Sequence, residues 1–431
     1  MTGSAPSFAD ANRTWARIAL LSFGGPAAQI ALMHRVLVDE KGWIDEQRFL
    51  HALNFCTLLP GPEAQQLATY IGWLLHGIRG GLVAGLLFIL PGIIAIMGLS
   101  WLYVLTGNVG AVAGLLFGLK AAVLAIVLHA LSRIAARAFK SLWQRLLALA
   151  AFVLLFFFAA PFPLVVLGAG LIGWWMSRGA PAVSVTPTER VGWRGTLNAS
   201  LPWLAIWLIP VGTLIFFLGP DNVFSQIATF FSTAAMVTFG GAYAVLSYVG
   251  QQAVGQFGWL KPGEMLDGLG FAETTPGPLI MVLQFVGFLA AYREPGMLHP
   301  LLAGTIGGLL ATFVTFAPCF LWIFAGAPQV ERLRGNPRLS GALAGITAAT
   351  VGVIASLALW FAIHALFARA SRVNQGPLDF DWPVLSSINP WAALLALAAA
   401  VAIFRFKLGI ATTILAAAAA GFVLSASGLV A

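Results

Sequence analysis

Long apolar stretches follow one another along almost the whole chain and are separated by short polar joints. Only 9% of the 431 residues are charged, which is too few to cover the surface of a water-soluble fold of this size. A bilayer must therefore solvate most of the chain, and the pattern predicts an all-α polytopic membrane protein. The stretches cover approximately residues 12–36, 51–76, 80–105, 110–131, 146–159, 161–177, 201–218, 223–250, 266–292, 297–326, 340–368, 390–404 and 407–430. The short pair 146–159 and 161–177 forms either two spans or one bent hairpin.

The basic residues lie in the joints between apolar stretches and not in one patch. They give a formal net charge of +8, but this placement fits membrane orientation better than phosphate binding, so no nucleic-acid partner is predicted. The joints that we expect in the cytoplasm, because they are rich in Lys and Arg, are 133–145, 178–194, 332–338 and 405–407. Before residue 80, the stretches 12–36 and 51–76 either both cross the membrane or both dip in and return.

Two parts of the chain resemble each other. Ser22-Phe23-Gly24-Gly25 recurs as Thr238-Phe239-Gly240-Gly241, Gly42-Trp43 as Gly258-Trp259, and Pro60-Gly61-Pro62 as Pro276-Gly277-Pro278. The spacing between the copies is the same for all three motifs, so the segments 22–62 and 238–278 align without a gap. A weaker match continues at a slightly larger spacing, from Gly118 to Gly345, which indicates an insertion of about eleven residues around 293–300. The chain therefore contains an internal repeat.

The repeat predicts a domain organisation. We expect a first transporter repeat over residues 1–177, a linker with a connecting helix over 178–222, and a second transporter repeat over 223–431. With about six membrane segments in each repeat and one linking helix between them, the second repeat has the inverted orientation. Inverted repeats with broken or re-entrant helices in matching positions are typical of transporters that bind substrate at the repeat interface.

The two Pro-Gly-Pro motifs interrupt apolar stretches. Proline removes backbone donors and disfavours helix at the preceding residue, so Pro60-Gly61-Pro62 and Pro276-Gly277-Pro278 should break the helix. A new helix can begin after Pro62 and after Pro278, with free N–H groups in its first turn. Two such helix starts facing one volume would bind an anion. The alternative is a structural kink.

The paired glycines have two interpretations. Gly24 with Gly25, and Gly240 with Gly241, either allow close packing of helices or open the backbone toward a ligand. Tyr243 adds a hydroxyl group that its counterpart Ala27 lacks.

Ionisable residues inside apolar stretches are candidates for substrate binding and coupling. Glu63 follows the first break and Glu273 shortly precedes the second, and a buried carboxylate can carry a proton. The alternative for Glu63 is that it only caps its helix. Lys120 either faces the protein interior, pairs with a carboxylate, meets an anionic substrate, or extends to the membrane surface. Gln65 either offers the substrate a neutral hydrogen bond or joins helices.

The sequence contains no pattern typical of a disulfide scaffold, a metal site or an enzyme active site. The two cysteines, Cys56 and Cys319, are far apart, and no histidines have ligand spacing, so neither a disulfide scaffold nor a metal site is predicted. There is no phosphate-binding loop and no nucleophile with a base, so we expect no cofactor and no enzymatic activity.

The motifs resemble those of a known family. Phe23-Gly24-Gly25-Pro26, Leu59-Pro60-Gly61-Pro62-Glu63, Leu90-Pro91-Gly92 and Glu273-Thr274-Thr275-Pro276-Gly277-Pro278 look like the chromate ion transporter family in its long, two-domain form. The resemblance implies a multi-pass protein of the bacterial inner membrane that exports chromate, confers chromate resistance, and draws energy from the membrane potential or proton gradient. It leaves open a transporter of sulfate or another oxyanion, or an anion channel. Beyond the oxyanion and membrane lipid, the partner is either none or a second copy in a homodimer.

Overall fold

The computed structural model describes residues 6–106, 110–178, 193–239, 242–334 and 337–430, with the backbone alone for 193–198 and 327–334. These residues form sixteen α-helices and one two-stranded sheet. The helices are α1 (Phe8–Leu20), α2 (Gly25–His34), α3 (Glu46–Cys56), α4 (Glu63–Thr106), α5 (Gly110–Ala138), α6 (Leu142–Phe157), α7 (Phe162–Met176), α8 (Trp193–Leu218), α9 (Val223–Met236), α10 (Ala242–Gln251), α11 (Pro262–Thr274), α12 (Val282–Arg293), α13 (Pro300–Arg334), α14 (Pro337–Leu366), α15 (Pro390–Phe404) and α16 (Ile410–Ala426). The all-α prediction is confirmed for the membrane-embedded part.

Five helices in the described ranges are long and apolar enough to cross a membrane: α4, α5, α8 from Ala199, α13 as far as Gly326, and α14. Six shorter apolar helices accompany them. The chain is therefore a multi-pass membrane protein.

Polar side chains define where several helices begin. The Asp45 carboxylate accepts the N–H of Arg48 at 2.8 Å at the start of α3, and Asn222 accepts the N–H of Phe224 at 3.0 Å at the start of α9. Such caps satisfy amides that have no partner within the helix. Short polar joints therefore fix the helix boundaries.

The helices recur in the same order in both parts of the chain. α1, α2, a π-helical segment (Arg35–Glu40) and α3 have counterparts in α9, α10, a second π-helical segment (Gln252–Gln256) and α11, close to the spacing of the repeated motifs. Further along, α5 and α14 begin at the larger spacing of the weaker match. The shift in spacing falls where α12 ends at Arg293 and α13 begins at Pro300. The inverted orientation of the second part stays a prediction.

Several predicted apolar segments were wrong in their boundaries. The stretch 12–36 is divided between α1 and α2, and 223–250 is divided between α9 and α10. At the first division Gly24 and Gly25 have φ angles of 82° and 78°, which a helix cannot contain. The predicted division between 51–76 and 80–105 is present inside α4, because the non-helical backbone of His76 and Gly77 separates two helices and Gly72 lies against Gly80. The first of these helices begins only at Glu63, after α3 and the first Pro-Gly-Pro loop.

A β-hairpin precedes α15 and was not predicted. β1 (Ala370–Gln375) pairs with β2 (Leu378–Pro383) in antiparallel register, and Gly376 at the turn has a φ of 61°. Arg372 makes a bidentate contact with Asp379, with its Nε and Nη2 at 2.7 and 2.8 Å from the two carboxylate oxygens. This pair raises the pKa of Arg372 and lowers the pKa of Asp379.

The chain forms two compact units. The first consists of Met1–Ser100, Pro181–Val245 and Thr275–Pro337, and the second of Trp101–Ala180, Leu246–Thr274 and Arg338–Ala431. Each unit thus contains segments from both predicted repeats, and the predicted division at 177 and 223 stays a prediction.

Aromatic side chains and glycines both pack helices within the units, and in the first unit Gly287 of α12 lies against Gly307 of α13. The first unit has an aromatic core in which Trp15, Phe49 and Phe88 are almost fully buried. In the second, glycines bring helices together: Gly118 of α5 lies against the backbone of α16, and Gly173 of α7 lies against Gly341 of α14. Small residues at helix contacts are typical of membrane proteins, where close packing replaces hydrophobic burial as the driving force.

Candidate functional site

In the first unit, the two Pro-Gly-Pro loops exchange backbone hydrogen bonds with the two Phe-Gly-Gly breaks. The N–H of Gly61 donates to the carbonyl of Thr238 at 2.8 Å, and the N–H of Gly277 donates to the carbonyl of Ser22 at 2.9 Å. Gly61 and Gly277 are equivalent in the repeat, and so are Ser22 and Thr238. Each loop is therefore bonded to the break of the other half, and we call this arrangement the loop crossing.

Hydroxyl groups close the helices that lead into the loop crossing. The Oγ of Ser22 donates to the carbonyl of Ile18, and the Oγ1 of Thr238 donates to the carbonyl of Ala234, both at 2.6 Å. Ser22 and Thr238 are fully buried. Each of these residues thus satisfies the last turn of its own helix with its side chain and contacts the other half with its backbone.

A helix begins directly after each Pro-Gly-Pro loop, as predicted. After the first loop, α4 begins at Glu63. After the second loop, a 3₁₀ turn, Leu279–Met281, leads from Pro278 into α12. The first amides of such helices have no partner within the helix and carry a partial positive charge. Half-buried Glu63 lies in the first turn of α4, where a carboxylate stabilises the helix.

Buried glutamines surround the loop crossing asymmetrically. Gln29 donates from Nε2 to the carbonyl of Gly277 at 2.6 Å and to that of Ser22 at 3.3 Å. Gln66 donates from Nε2 to the carbonyl of Pro60 at 2.8 Å. The Oε1 atoms of both side chains are buried without a hydrogen-bond partner among the described residues. The equivalent positions hold Val245 and Val282, so these amides belong to one half only.

Gln65, the neighbour of Gln66 on α4, is also buried in the first unit. Its Nε2 donates to the Oγ1 of Thr69 at 3.1 Å, and its Oε1 is buried without a partner among the described residues. A buried amide oxygen without a donor is unfavourable, so the first unit holds acceptor groups that water or a protonated ligand can satisfy.

The second unit contains a buried ion pair. The Nζ of Lys120 on α5 lies 3.2 Å from the Oδ2 of Asp267 on α11, and the hydroxyl of Tyr103 near the end of α4 donates to the same oxygen at 3.1 Å. The side chain of Asp267 is 1% exposed and that of Lys120 is 30% exposed. Of the alternatives for Lys120, pairing with a carboxylate is the one that the structure has.

The sequence of the whole chain now decides the family. A model of the chromate transporter family matches residues 10–174 and 225–422. The chain belongs to the chromate transporter family.

Relatives within the family match over most of their length. The chromate transport protein of Pseudomonas aeruginosa is 32% identical over 347 residues, which cover 78% of this chain and 77% of that protein. The probable chromate transport protein of Synechococcus elongatus is 30% identical over 345 residues, covering 79% and 80%. The chromate transport protein of Cupriavidus metallidurans is 28% identical over 349 residues, covering 78% of each. No solved structure matches the chain.

The two units of this chromate transporter family member divide the predicted site residues between them. The first unit contains Gly24, Gly25, Pro60, Gly61, Pro62, Glu63, Gln65, Tyr243, Thr275, Pro276, Gly277 and Pro278. Tyr243 is half-buried at the start of α10, whereas the predicted Gly240 and Gly241 lie outside the described residues.

The second unit contains Lys120, Glu273 and Thr274. Glu273 is 2% exposed in the last turn of α11, and the hydroxyl of Thr274 donates to the carbonyl of Gly270 at 2.9 Å. Thr274 therefore uses its proton within its own helix. No observation tests contact with a substrate, so the binding roles of all these residues stay predictions.

Asp267 and Gln29 are among the residues of these clusters that were not predicted. Asp267 is a charged residue within the apolar stretch 266–292, so the rule that identified Lys120 would also have identified it. Gln29 bonds a carbonyl 248 residues away and has no charge to attract notice, so no local pattern indicates its role.

Proposed function

We propose that this protein exports chromate, a tetrahedral dianion with the shape of sulfate, across the bacterial inner membrane and thereby confers chromate resistance. Two relatives named chromate transport protein and one named probable chromate transport protein support chromate as the substrate, since each matches more than three quarters of both chains. The multi-pass helical architecture supports a transport function as well.

The observation that carries the mechanism is the loop crossing. It brings two broken helices, and the two helix starts after Pro62 and Pro278, into one compact unit. Helix starts offer backbone N–H groups to an anion, and these donors replace part of the water that a dianion loses on entering the membrane. Because the crossing bonds join opposite halves, a relative movement of the halves would alter both helix starts together.

The membrane potential supplies enough free energy for export. Moving one elementary charge through 100 mV is worth about 2.3 kcal/mol, so a dianion leaving a cell with a negative interior gains about 4.6 kcal/mol. This gain corresponds to a concentration ratio of about 10³. A buried carboxyl group that binds a proton during the transport cycle would couple transport to the proton gradient as well. A proton that left with the dianion would reduce the net charge moved to one and the gain to about 2.3 kcal/mol.

Lys120 offers positive charge to an anion within the second unit. Its side chain is the partly exposed member of the ion pair with Asp267, so an anion reaches Lys120 more easily than it reaches the carboxylate. A cation within the membrane is costly unless it has a partner, and Lys120 would exchange one anionic partner for another during transport.

Growth and vesicle transport test the proposal. Cells that express the gene should grow at chromate concentrations that stop cells without it. Everted vesicles should accumulate labelled chromate when energised, and sulfate should compete if the site recognises only the shape and charge of the dianion. Wild-type protein that is inserted but gives neither resistance nor chromate flux would contradict the proposal.

A transporter and an anion channel differ in their response to ionophores. With the voltage clamped by potassium and valinomycin, collapsing the proton gradient should change chromate flux through a proton-coupled transporter. A channel would show unchanged flux under these conditions.

A further inference from the structure

One face of α11 is shaped to receive α5. Gly263, Asp267 and Gly270 are spaced by four and three residues, so they lie on the same side of the helix. A Cβ atom at Gly263 would lie 3.1 Å from the Nζ of Lys120, and one at Gly270 would overlap the side chain of Leu119. The glycines on either side of Asp267 thus let the stretch with Leu119 and Lys120 approach closely and leave one carboxylate facing one ammonium group.

Among the described residues, only one of the two oxygens of the Asp267 carboxylate has polar partners. Its Oδ2 receives both Lys120 at 3.2 Å and the hydroxyl of Tyr103 at 3.1 Å. Its Oδ1 is buried and has no hydrogen-bond partner among the described residues. Because an ionised carboxylate is stabilised by donors on both oxygens, the bare Oδ1 is the atom at which a proton would bind.

Few other ionisable groups face this carboxylate. Besides Lys120 on α5 and Tyr103 on α4, the charge that acts on it comes from Glu264 on its own helix. Glu264 accepts the N–H of Lys261 at 2.7 Å and so caps the start of α11. α16, which also packs against α11, contains no ionisable residue. Lys120 is therefore the neighbour whose loss would most affect the charge of Asp267.

We propose that Asp267 is the coupling group of this transporter, and that the oxyanion and a proton bind together. The oxyanion replaces Asp267 as the ion-pair partner of the Lys120 ammonium group, and the Asp267 carboxylate then takes up one proton at Oδ1. The ion pair, an oxyanion and a proton thus become a neutral carboxyl group and a lysine–oxyanion pair, with no covalent bond other than O–H formed. The inference rests on the proposed function and assigns the proton to Asp267 instead of Glu63 or Glu273.

The physical reason is the cost of a buried charge that loses its partner. Removing one member of a buried ion pair leaves the other strongly destabilised, and protonation removes that charge. Linkage then requires the reverse effect: a proton on Asp267 frees Lys120 and strengthens oxyanion binding by the same factor. Oxyanion affinity should therefore increase as the pH falls.

Titration calorimetry of the full-length protein in detergent measures the coupling directly. Chromate is titrated at one pH in two buffers that differ in ionisation enthalpy, and the difference gives the protons taken up for each chromate bound. We expect wild type to take up as much as one proton more than Asp267→Asn, which accounts for protons exchanged by chromate itself. Asp267→Asn should still bind chromate, with an affinity that varies less with pH than that of wild type.

Matched variants separate the coupling from other effects. Asp379→Asn makes the same chemical change in the exposed hairpin and should keep wild-type binding and proton uptake. Glu63 and Glu273 are candidate binding residues, so Glu63→Gln and Glu273→Gln are compared by the protons taken up for each chromate bound, which should equal that of wild type. Lys120→Ala should lose chromate binding, and if it does not fold, the Lys120→Ala/Asp267→Asn double variant removes both charges and should fold without binding chromate.

The outcomes distinguish this inference from the proposed function. Proton uptake by Asp267→Asn equal to that of wild type would overturn the inference, as would loss of the uptake in Glu273→Gln alone. Wild type that binds chromate without taking up protons would also overturn it and would leave chromate transport in place. Wild type that neither binds nor transports chromate would instead refute the proposed function.

Discussion

The two Pro-Gly-Pro loops have the same backbone but different surroundings. Gly61 and Gly277 have φ angles of 124° and 113°, and each donates its N–H to the other half. Around Gly61 the nearest groups are the side chains of Gln66 and Cys319, whereas Gly277 lies against the backbone of Gly92. The shared backbone therefore builds the loop crossing, and the side chains make its two ends chemically different.

The same lesson appears in α3 and α11, which are equivalent in the repeat. Arg48 of α3 is exposed and His51 is half-buried, whereas their counterparts Glu264 and Asp267 of α11 are buried. The helix is therefore present in both copies of the repeat, but only α11 carries buried acidic residues. Substrate charge and coupling are expected to depend on such asymmetric positions.

The largest difference between the two loops should appear when alanine replaces the glycines. Gly277→Ala should destabilise the protein by about 3 kcal/mol or more, because a Cβ there would lie 3.0 Å from the Cα of Gly92 and φ would be strained. Gly61→Ala should cost less, about 2 kcal/mol, because its Cβ meets the ends of the Gln66 and Cys319 side chains, which can shift with loss of the Gln66 bond to Pro60. Thermal unfolding in detergent measures both.

Gly98→Ala is the control for this pair, since a Cβ at Gly98 of α4 meets nothing within 4 Å. It should leave stability unchanged or raise it by about 1 kcal/mol, because alanine favours helix. A greater loss for Gly61→Ala than for Gly277→Ala would show that the surroundings of the loops do not matter in this way.

The next effect concerns the two glutamines. Gln29→Leu should cost about 2 kcal/mol, because it removes donors to the carbonyls of both Ser22 and Gly277. Gln66→Leu removes the bond to the carbonyl of Pro60 and the contact with the Cys319 thiol, and should cost about 1 kcal/mol. Unfolding of the two variants side by side tests the order, and a larger loss for Gln66→Leu would reverse it.

The hydroxyl groups that close α1 and α9 should instead behave alike. Ser22→Ala and Thr238→Val each remove a donor to the carbonyl four residues earlier, and each should cost about 1 kcal/mol. Equal losses in unfolding experiments would agree with a symmetric backbone. A loss confined to one variant would mean that the two helix ends differ in their contribution to stability.

The smallest effect is a pH response of the hairpin, which follows α14 and has no described counterpart after α5. Arg372 lowers the pKa of Asp379, so the pair stabilises the hairpin at neutral pH. That stabilisation should be lost as the pH falls through the lowered pKa of Asp379. Hydrogen exchange of residues 370–383, corrected for the intrinsic rate, should rise at acid pH in wild type, whereas Asp379→Asn should exchange faster already at neutral pH.

Apolar runs and prolines were sufficient to predict much of the fold. The helical class, the breaks at Pro60–Pro62 and Pro276–Pro278, and the helix that follows each break all come from local rules about burial and backbone donors. The boundaries failed at 21–24, because two glycines in an apolar run suit a packed helix and an opened backbone equally well. The break at His76 and Gly77 inside α4 was predicted, because a glycine and a polar joint interrupt the apolar run there.

The site was less predictable, because its bonds join distant parts of the chain. Lys120 was found from its charge, but its pairing with Asp267 depends on two glycines that let α5 and α11 approach. The loop crossing was inferred only as a shared volume for two helix starts. That its backbone bonds are exchanged between halves follows from tertiary contacts that no local pattern records.

The loop crossing also determines when its backbone hydrogen bonds can form during synthesis of the chain. Gly277 leaves the ribosome long after Ser22, whose carbonyl it must reach. At about 5–20 residues per second, Gln29 at 3.3 Å is the side-chain donor that this carbonyl has for about 13–50 s before Gly277 is made. An incompletely bonded carbonyl is unfavourable in lipid, so the N-terminal helices are expected to be shielded by the insertion machinery or to stay near water until late in synthesis. Folding of the first half of this protein is thus complete only after Gly277 has been synthesised.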